Sequence, residues 1–348
     1  MFTRILVAVS LIVAVAPASA SASARGWTPT PSGVEKGDIT AVAALDAQRA
    51  WAVGYRLVSD NEARPVALRW NGSSWAQESE LPRDSFPFGL EVRSPSDIWT
   101  IGDGVQHWNG STWSAASFPP ASDGYFMPES LDSVPSGQAW VVGRLVNDSV
   151  KDQHPVAYAW NGTAWSRVSL PDLGIGALQS VVAVAPNNIW AAGFAAGTPQ
   201  TSLVVHFDGV SWQRVSSPSV PGAHTWISGL YASGGELFAV GGSNSGAADR
   251  PFAARWDGRQ WAVTRTPPIA DGRLRAVTAT GDGSVYAVGG KGAVTVLLRY
   301  HPVLRAWTRV SAPDLVVRGF SGVPGSSGLW AVGISHQGDL VPVITRTR

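Results

Sequence analysis

The chain has 348 residues, a nearly balanced charge of 26 Lys plus Arg against 25 Asp plus Glu, and no cysteine. With only 15% of its residues charged, it carries no electrostatic footprint for nucleic acid or an anionic membrane surface. The absence of Cys excludes disulfides and thiolate metal sites, so stability has to come from burial alone.

The first predicted element is an export signal over residues 1–24. Arg4 supplies the positive start, "ILVAVSLIVAVA" the apolar core, and "ASASASA" small-residue cleavage sites after Ala20 or Ala24. That apolar run is too short to span a bilayer, and no later run is long enough. The expectation is a secreted chain, not membrane-embedded, in which residues 25–348 form one domain. Only Lys36, Lys151 and Lys291 represent Lys among the basic residues, which with the Ala and Gly bias points to a GC-rich bacterial source.

From there the sequence repeats. "WAVG" at 51 returns as "WTIG" at 99, "WVVG" at 140, "WAAG" at 190, "FAVG" at 238, "YAVG" at 286 and "WAVG" at 330, at intervals of 41 to 50 residues. A second motif alternates with it: "WNGSSW" (70–75), "WNGSTW" (108–113), "WNGTAW" (160–165), "FDGVSW" (207–212) and "WDGRQW" (256–261). Each unit holds four short runs rich in β-branched or aromatic residues, bounded by Gly, Pro, Asn or Asp, which is the signature of strands. The Asn-Gly and Asp-Gly pairs suit the positive φ angles of two-residue hairpin turns. Each unit is therefore a four-stranded antiparallel meander, strands a to d, and a period of this length with four strands is that of a β-propeller blade. After the seventh "WAVG" only "VPVITRTR" follows, whereas "GWTPTPSG" near the start reads as an orphan strand d. The prediction is an all-β, seven-bladed propeller whose last blade is completed by the N-terminal strand, which removes an open sheet edge.

Sixteen of the 17 tryptophans fall in register, on strand b, the end of strand c or the start of strand d; Trp226 alone does not. Side chains that recur once per blade pack neighbouring blades together. Each such ring contributes up to about 4–6 kcal/mol, taking 150–250 Å² at about 25 cal/mol/Å². These rings are assigned to structure and not to sugar binding.

A strand ending in Gly-Gly, followed by an aromatic, a Trp and a Pro, as in "LFAVGGSNSGAADRPFAARWDGRQWAVTRTPP" (237–268), resembles the kelch motif. The single-Gly W-x-V-G form of the other blades is similar to the Trp-rich propellers of exported bacterial proteins. The resemblance implies the fold and no particular activity. Galactose oxidase, a kelch-type propeller, uses a tyrosine cross-linked to cysteine, which a chain without Cys cannot form. The sialidase S-x-D-x-G-x-x-W pattern is also incomplete here.

Function is sought on the irregular face. The a–b and c–d turns are short and repetitive, whereas the b–c loops, such as 55–64 and 144–154, and the d–a crossings vary. The crossings carry off-register aromatics: Phe86, Phe88, Tyr125, Phe126 and Trp226, with His224 beside the last. Lys36, Asp38, Glu129, Arg273, Arg275 and Arg318 lie where strand a starts, near the axial channel. Trp226, His224, Tyr125, Phe126, Arg273, Arg275 and Glu129 form the candidate ligand-binding set; aromatics that merely plug the channel are the alternative. The six His residues have no metal-ligand spacing, and no G-x-S-x-G, phosphate-loop or paired-carboxylate motif is present. No catalytic residue, metal or cofactor is assigned. His107 and His206 stand just before an aromatic at the end of strand c, and packing accounts for them. The expectation is a monomeric binding propeller whose partner is a glycan or an extracellular protein. Two alternatives are an extracellular hydrolase or lyase built on Glu129, Arg273, Arg275 and His224, and a purely structural envelope protein.

Overall fold

The alternating runs fold as their periodicity requires. In this computed structural model the described residues are 26–347, apart from 60–61, 79, 84, 122, 148–151, 247 and 337–339. The expected export signal lies outside them. They form seven separate four-stranded antiparallel sheets and no helix, so none that is long and apolar enough to cross a membrane. Blade 1 is typical: strand a is Gly37–Ala44, b Ala50–Ser59, c Glu62–Trp70 and d Trp75–Gln77. The a strands touch one another around the ring, so they line the axis and the d strands form the rim. The protein is a seven-bladed β-propeller.

Two local expectations change. The c–d connections are four-residue loops and not two-residue turns. In blade 1, Trp70 faces Trp75 across residues 71–74, Asn71 N donates to Ser74 O, and Asn71 Oδ1 accepts from the Ser73 and Ser74 amides. The side-chain acceptor satisfies amides that a tighter turn would pair with backbone, and Gly72 supplies the positive φ of 96°. The long b–c segments are likewise strands for most of their length. Residues 55–59 pair with 62–65 and residues 144–146 with 153–155, so these hairpins extend beyond their neighbours on the b–c face.

The glycine of W-x-x-G has a steric cause. In six blades strand a carries a β-bulge at the same place, after Ile39, Pro128, Leu178, Ile227, Leu274 and Val317. The bulge pushes the carbonyl of the preceding residue against strand b. A Cβ on Gly54, Gly143, Gly193, Gly241, Gly289 or Gly333 would lie under 3.0 Å from that oxygen. Blade 2 departs from the rule: its strand a, Gly89–Ser94, has its irregularity at the other end, between Val92 and Ser94.

Few backbone hydrogen bonds join one blade to the next, among them Trp307 N to Arg265 O and Gly281 N to Ser326 O, so side chains do most of it. Trp330 of blade 7 sits edge-on to Trp70 and Trp75 of blade 1, at centroid distances of 5.2 and 5.1 Å. Trp99 meets Trp160 and Trp165 of blade 3 in the same way, and Phe238 meets Tyr300 and Trp307 of blade 6. The indole N–H groups of Trp75 and Trp307 donate to Thr30 and Thr264, each just past the outer strand of the preceding blade. Near the axis, Ser130, Asp132, Ser180, Thr278 and Ser321 accept hydrogen bonds from the next blade's backbone amides. Those amides lie on the free edge of each innermost strand and would otherwise stay unpaired.

A second regularity covers the outer half of each blade. Opposite each strand b aromatic, strand c places Arg69, His107, His206, Arg255, Arg299 or Arg346. Arg69 lies over Trp51, Arg299 over Tyr286 and Arg346 over Trp330, while His107 and His206 stack on Trp99 and Trp190 at 4.1 Å. In four blades the side chain two residues before the aromatic holds the group opposite it. Asp97 and Asn188 contact the two imidazoles, and Glu236 and Ser284 accept from Arg255 and Arg299. Only blade 3 breaks the series, with Ala159 opposite Trp140.

Ring closure follows the sequence prediction. Blade 7 consists of Val316–Gly322, Leu329–Ile334, Pro342–Thr347 and, outermost, Trp27–Pro29. Trp27 faces Thr347 and Pro29 faces Thr345. Trp27 is 7% exposed, and its indole N–H donates to Ser311 O of blade 6.

Candidate functional site

The bulges also determine what faces the axis. The extra residue in each is Thr40, Glu129, Gln179, Ser228, Arg275 or Arg318, and all are half-buried or exposed. In five of the six blades the residue just before it is buried between blades. A ring of polar side chains therefore lines the channel mouth on the face of the b–c hairpins and d–a crossings.

Charge is concentrated on one side of this mouth. Arg275 of blade 6 and Arg318 of blade 7 occupy equivalent bulge positions, and Arg273 stands two residues before Arg275. Arg318 Nε donates to Asp38 Oδ2 at 2.9 Å; burial raises the Asp38 carboxyl and Arg318 opposes the rise. Arg273 and Arg275 have no hydrogen-bonding or ionic partner among the described residues. The Arg275 guanidinium is pushed below its ordinary value by burial first, and then by Arg273 and Arg318. Of the three guanidiniums only that of Arg318 has a carboxylate partner. Between blades 6 and 7 a crevice of about 30 Å³, bounded by Arg275, Arg318, Thr295 and Phe320, is large enough for a single small polar group.

The other predicted residues are placed differently. Glu129 pairs with Arg144 on the adjoining strand of blade 3, and burial raises its carboxyl. His224 is exposed, and its Nδ1 accepts from the Gln200 amide. The Trp226 ring lies over Gly242, where an added Cβ would collide with it. Phe126 is enclosed with Phe118 and Tyr158, at 4.9 and 4.7 Å. Tyr125 is 65% exposed. No hydrogen bond joins Glu129, His224, Arg273 and Arg275 to one another. A concavity of about 690 Å³ lies on the flank of blade 3. Its charged lining is mostly paired internally, Arg167 with Asp123 and His154 with Asp152.

At the opposite end of the channel two carboxylates from adjacent blades approach each other. Glu91 is raised well above the usual range by burial first and then by Asp132. Asp132 is pushed up by burial to about 6, although it accepts from the Ala183 and Ser133 amides. Both carboxyls hold protons more tightly in the folded ring than in the unfolded chain. Their contribution to stability is therefore full below the unfolded values and is lost as pH rises through the folded ones. Glu91→Gln is expected to raise stability at pH 7 and to have little effect at pH 4. Urea unfolding of both proteins across that range measures this; a constant difference between them would refute the pairing.

No family model matches the chain, and no curated protein matches it. Among solved structures the chain is similar to YCF48 from Cyanidioschyzon merolae, with 14% identity and a TM-score of 0.58, over 93% of this chain and 98% of that one. It is similar also to YCF48 bound to D1 peptide, with 13% identity and a TM-score of 0.57, over 93% of this chain and 97% of that one. At that identity what the chain shares with these proteins is the propeller fold.

Proposed function

We propose that the protein is an exported binding propeller that captures a carboxylate-bearing segment of a protein partner at the axial mouth. The observation that carries this reading is the pair of unpartnered guanidiniums, Arg273 and Arg275, beside Arg318. A peptide carboxylate satisfies such a cluster with paired, charge-assisted hydrogen bonds. A similar fold in complex with a peptide supports a peptide as occupant. A neutral glycan gains nothing from the three arginines, and the one off-register Trp is occupied by Gly242. The hydrolase or lyase reading needs Glu129 as a free acid or base, whereas it is bound to Arg144.

The test uses a dye-labelled Gly-Ser peptide ending in Asp-Glu with a free C-terminus, compared with its amidated, acid-free counterpart by fluorescence anisotropy. The acidic peptide is expected to bind in preference, and less tightly as salt is raised. The double variant Arg273→Ala, Arg275→Ala should weaken binding by roughly a hundredfold or more, since each such bond is worth about 1.5–3 kcal/mol. Equal binding of the two peptides, or undiminished binding by the variant, defeats the proposal. A panel of neutral glycans run alongside would reveal a sugar ligand.

A further inference from the structure

Beyond Arg318 the mouth continues into exposed aromatic surface. Asp38, the carboxylate partner of Arg318, faces Tyr55 across strands a and b of blade 1. Burial first, and then Asp38, raises the Tyr55 phenol, while Arg318 opposes the rise. Its hydroxyl has no hydrogen-bond partner among the described residues. Phe86 meets the Tyr55 ring edge-on at a centroid distance of 6.3 Å, and Phe88 follows two residues later. The Pro87 carbonyl between them accepts from the hydroxyl of Thr40, so the segment runs along the inner wall of the mouth. Blade 2 holds it there, with Asp103 N donating to Ser85 O and Phe88 N to Ile101 O. Phe86 is 38% exposed and Phe88 44%, and Phe86 takes a positive φ of 21°, which bulky residues rarely adopt. The wall is lowest beside these rings. Only Gly102, Asp103 and Gly104 connect strands b and c of blade 2, whereas the hairpins of blades 1 and 3 on either side reach further.

We propose that the ledge formed by Phe86 and Phe88 receives a bulky apolar side chain of the same partner segment, and so decides which carboxylate-bearing segments bind. The inference rests on the carboxylate reading above and gives that segment its second anchor. Charge and apolar surface stand side by side on one wall, joined through Asp38 and Tyr55. The arginines select an acidic residue. Two phenylalanine rings flanking a proline offer a polar side chain no hydrogen bond, whereas a leucine laid on them leaves water. An extended peptide advances about 3.3 Å per residue, so the acidic and the apolar residue are a fixed number of positions apart. The Tyr55 hydroxyl, between the two anchors, is a donor for a carbonyl of the segment. The gap above blade 2 gives the rest of the segment its way out of the mouth.

The experiment extends the anisotropy assay. In the Gly-Ser peptide that ends in Asp-Glu, a single Leu replaces each preceding position in turn, and every affinity is divided by that of the parent peptide. One spacing is expected to bind about tenfold tighter than the parent. The double variant Phe86→Ser, Phe88→Ser should bring that ratio close to one, and Phe88→Ser alone should reduce it to a few-fold. Both rings are exposed, so the thermal midpoints of these variants should stay within about 2 °C of the wild type. If the parent binds and no Leu position improves on it, the ledge is refuted while the arginine reading stands. A gain that survives in the double variant refutes it equally. A parent peptide that does not bind at all defeats the arginine reading, and this inference with it.

Discussion

Removing residues 26–31 is expected to lower the thermal midpoint by at least about 10 °C. The segment supplies the outer strand of blade 7 and buries Trp27 in a core cluster with Val288 and Leu297 of blade 6, Leu315 of the crossing and Leu329 of blade 7. A tryptophan buried to this extent accounts for up to about 4–6 kcal/mol. Its loss also exposes Pro342–Thr347 as a bare edge, and it removes the bond from the Trp75 indole to Thr30 that ties blade 7 to blade 1. For a domain of this size each kcal/mol moves the midpoint by roughly 2–4 °C. Trp27→Ala alone should reproduce about half of the fall. Calorimetry of the two variants beside the wild type is decisive, because a midpoint shifted by less than about 2 °C would mean that three strands close the ring unaided.

The second large effect concerns the repeated glycine. Gly241→Ala places a methyl group against the Trp226 carbonyl and the Ile227 Cα, both backbone atoms of the paired strand. Neither can rotate away, so the bulge has to flatten or strand a has to shift toward the axis. Overpacking costs about 1–3 kcal/mol where side chains absorb it, and more where they cannot, so about 3 kcal/mol or more is expected here. Gly242 is a built-in comparison. The nearest atoms that a methyl group there meets belong to the Trp226 ring, a side chain and not the backbone. Urea midpoints should fall much further for Gly241→Ala than for Gly242→Ala. The reverse order would show that the bulge yields easily and that the motif has another cause.

The sequence displayed the ring because its strands carry large aromatics at fixed positions, and a seven-fold array repeats each error or confirmation seven times. The blade count and the pairing of Trp27 with the last strand could both be read from this. The bulge could not, since it arises from how strand a lies between two blades, and only its shadow, the glycine of W-x-x-G, appears in the letters. The b–c segments read as loops because their lengths vary from blade to blade, and a hairpin standing clear of its neighbours, solvated on both faces, lacks the alternation that marks a strand. At the mouth, Arg273, Arg275 and Arg318 were visible as residues beginning strand a. Their shared field and the diversion of Glu129 to Arg144 required the pairing register. Ala159 was legible in principle: it is the one small residue in a column that reads Arg69, His107, His206, Arg255, Arg299 and Arg346.

Trp27 lies opposite Thr347 just as Trp75 lies opposite Trp70, and in the latter case four residues bridge the gap. The seventh c–d hairpin is thus an interrupted copy of the other six. A four-residue Asn-Gly connection between the termini would produce a chain without ends, and a cut at residues 71–74 or 161–164 would open it again with every sheet intact. The fold is a circle on which the position of the break is a free parameter. Circular permutants started at different c–d turns should share one native structure and differ mainly in which interface forms last.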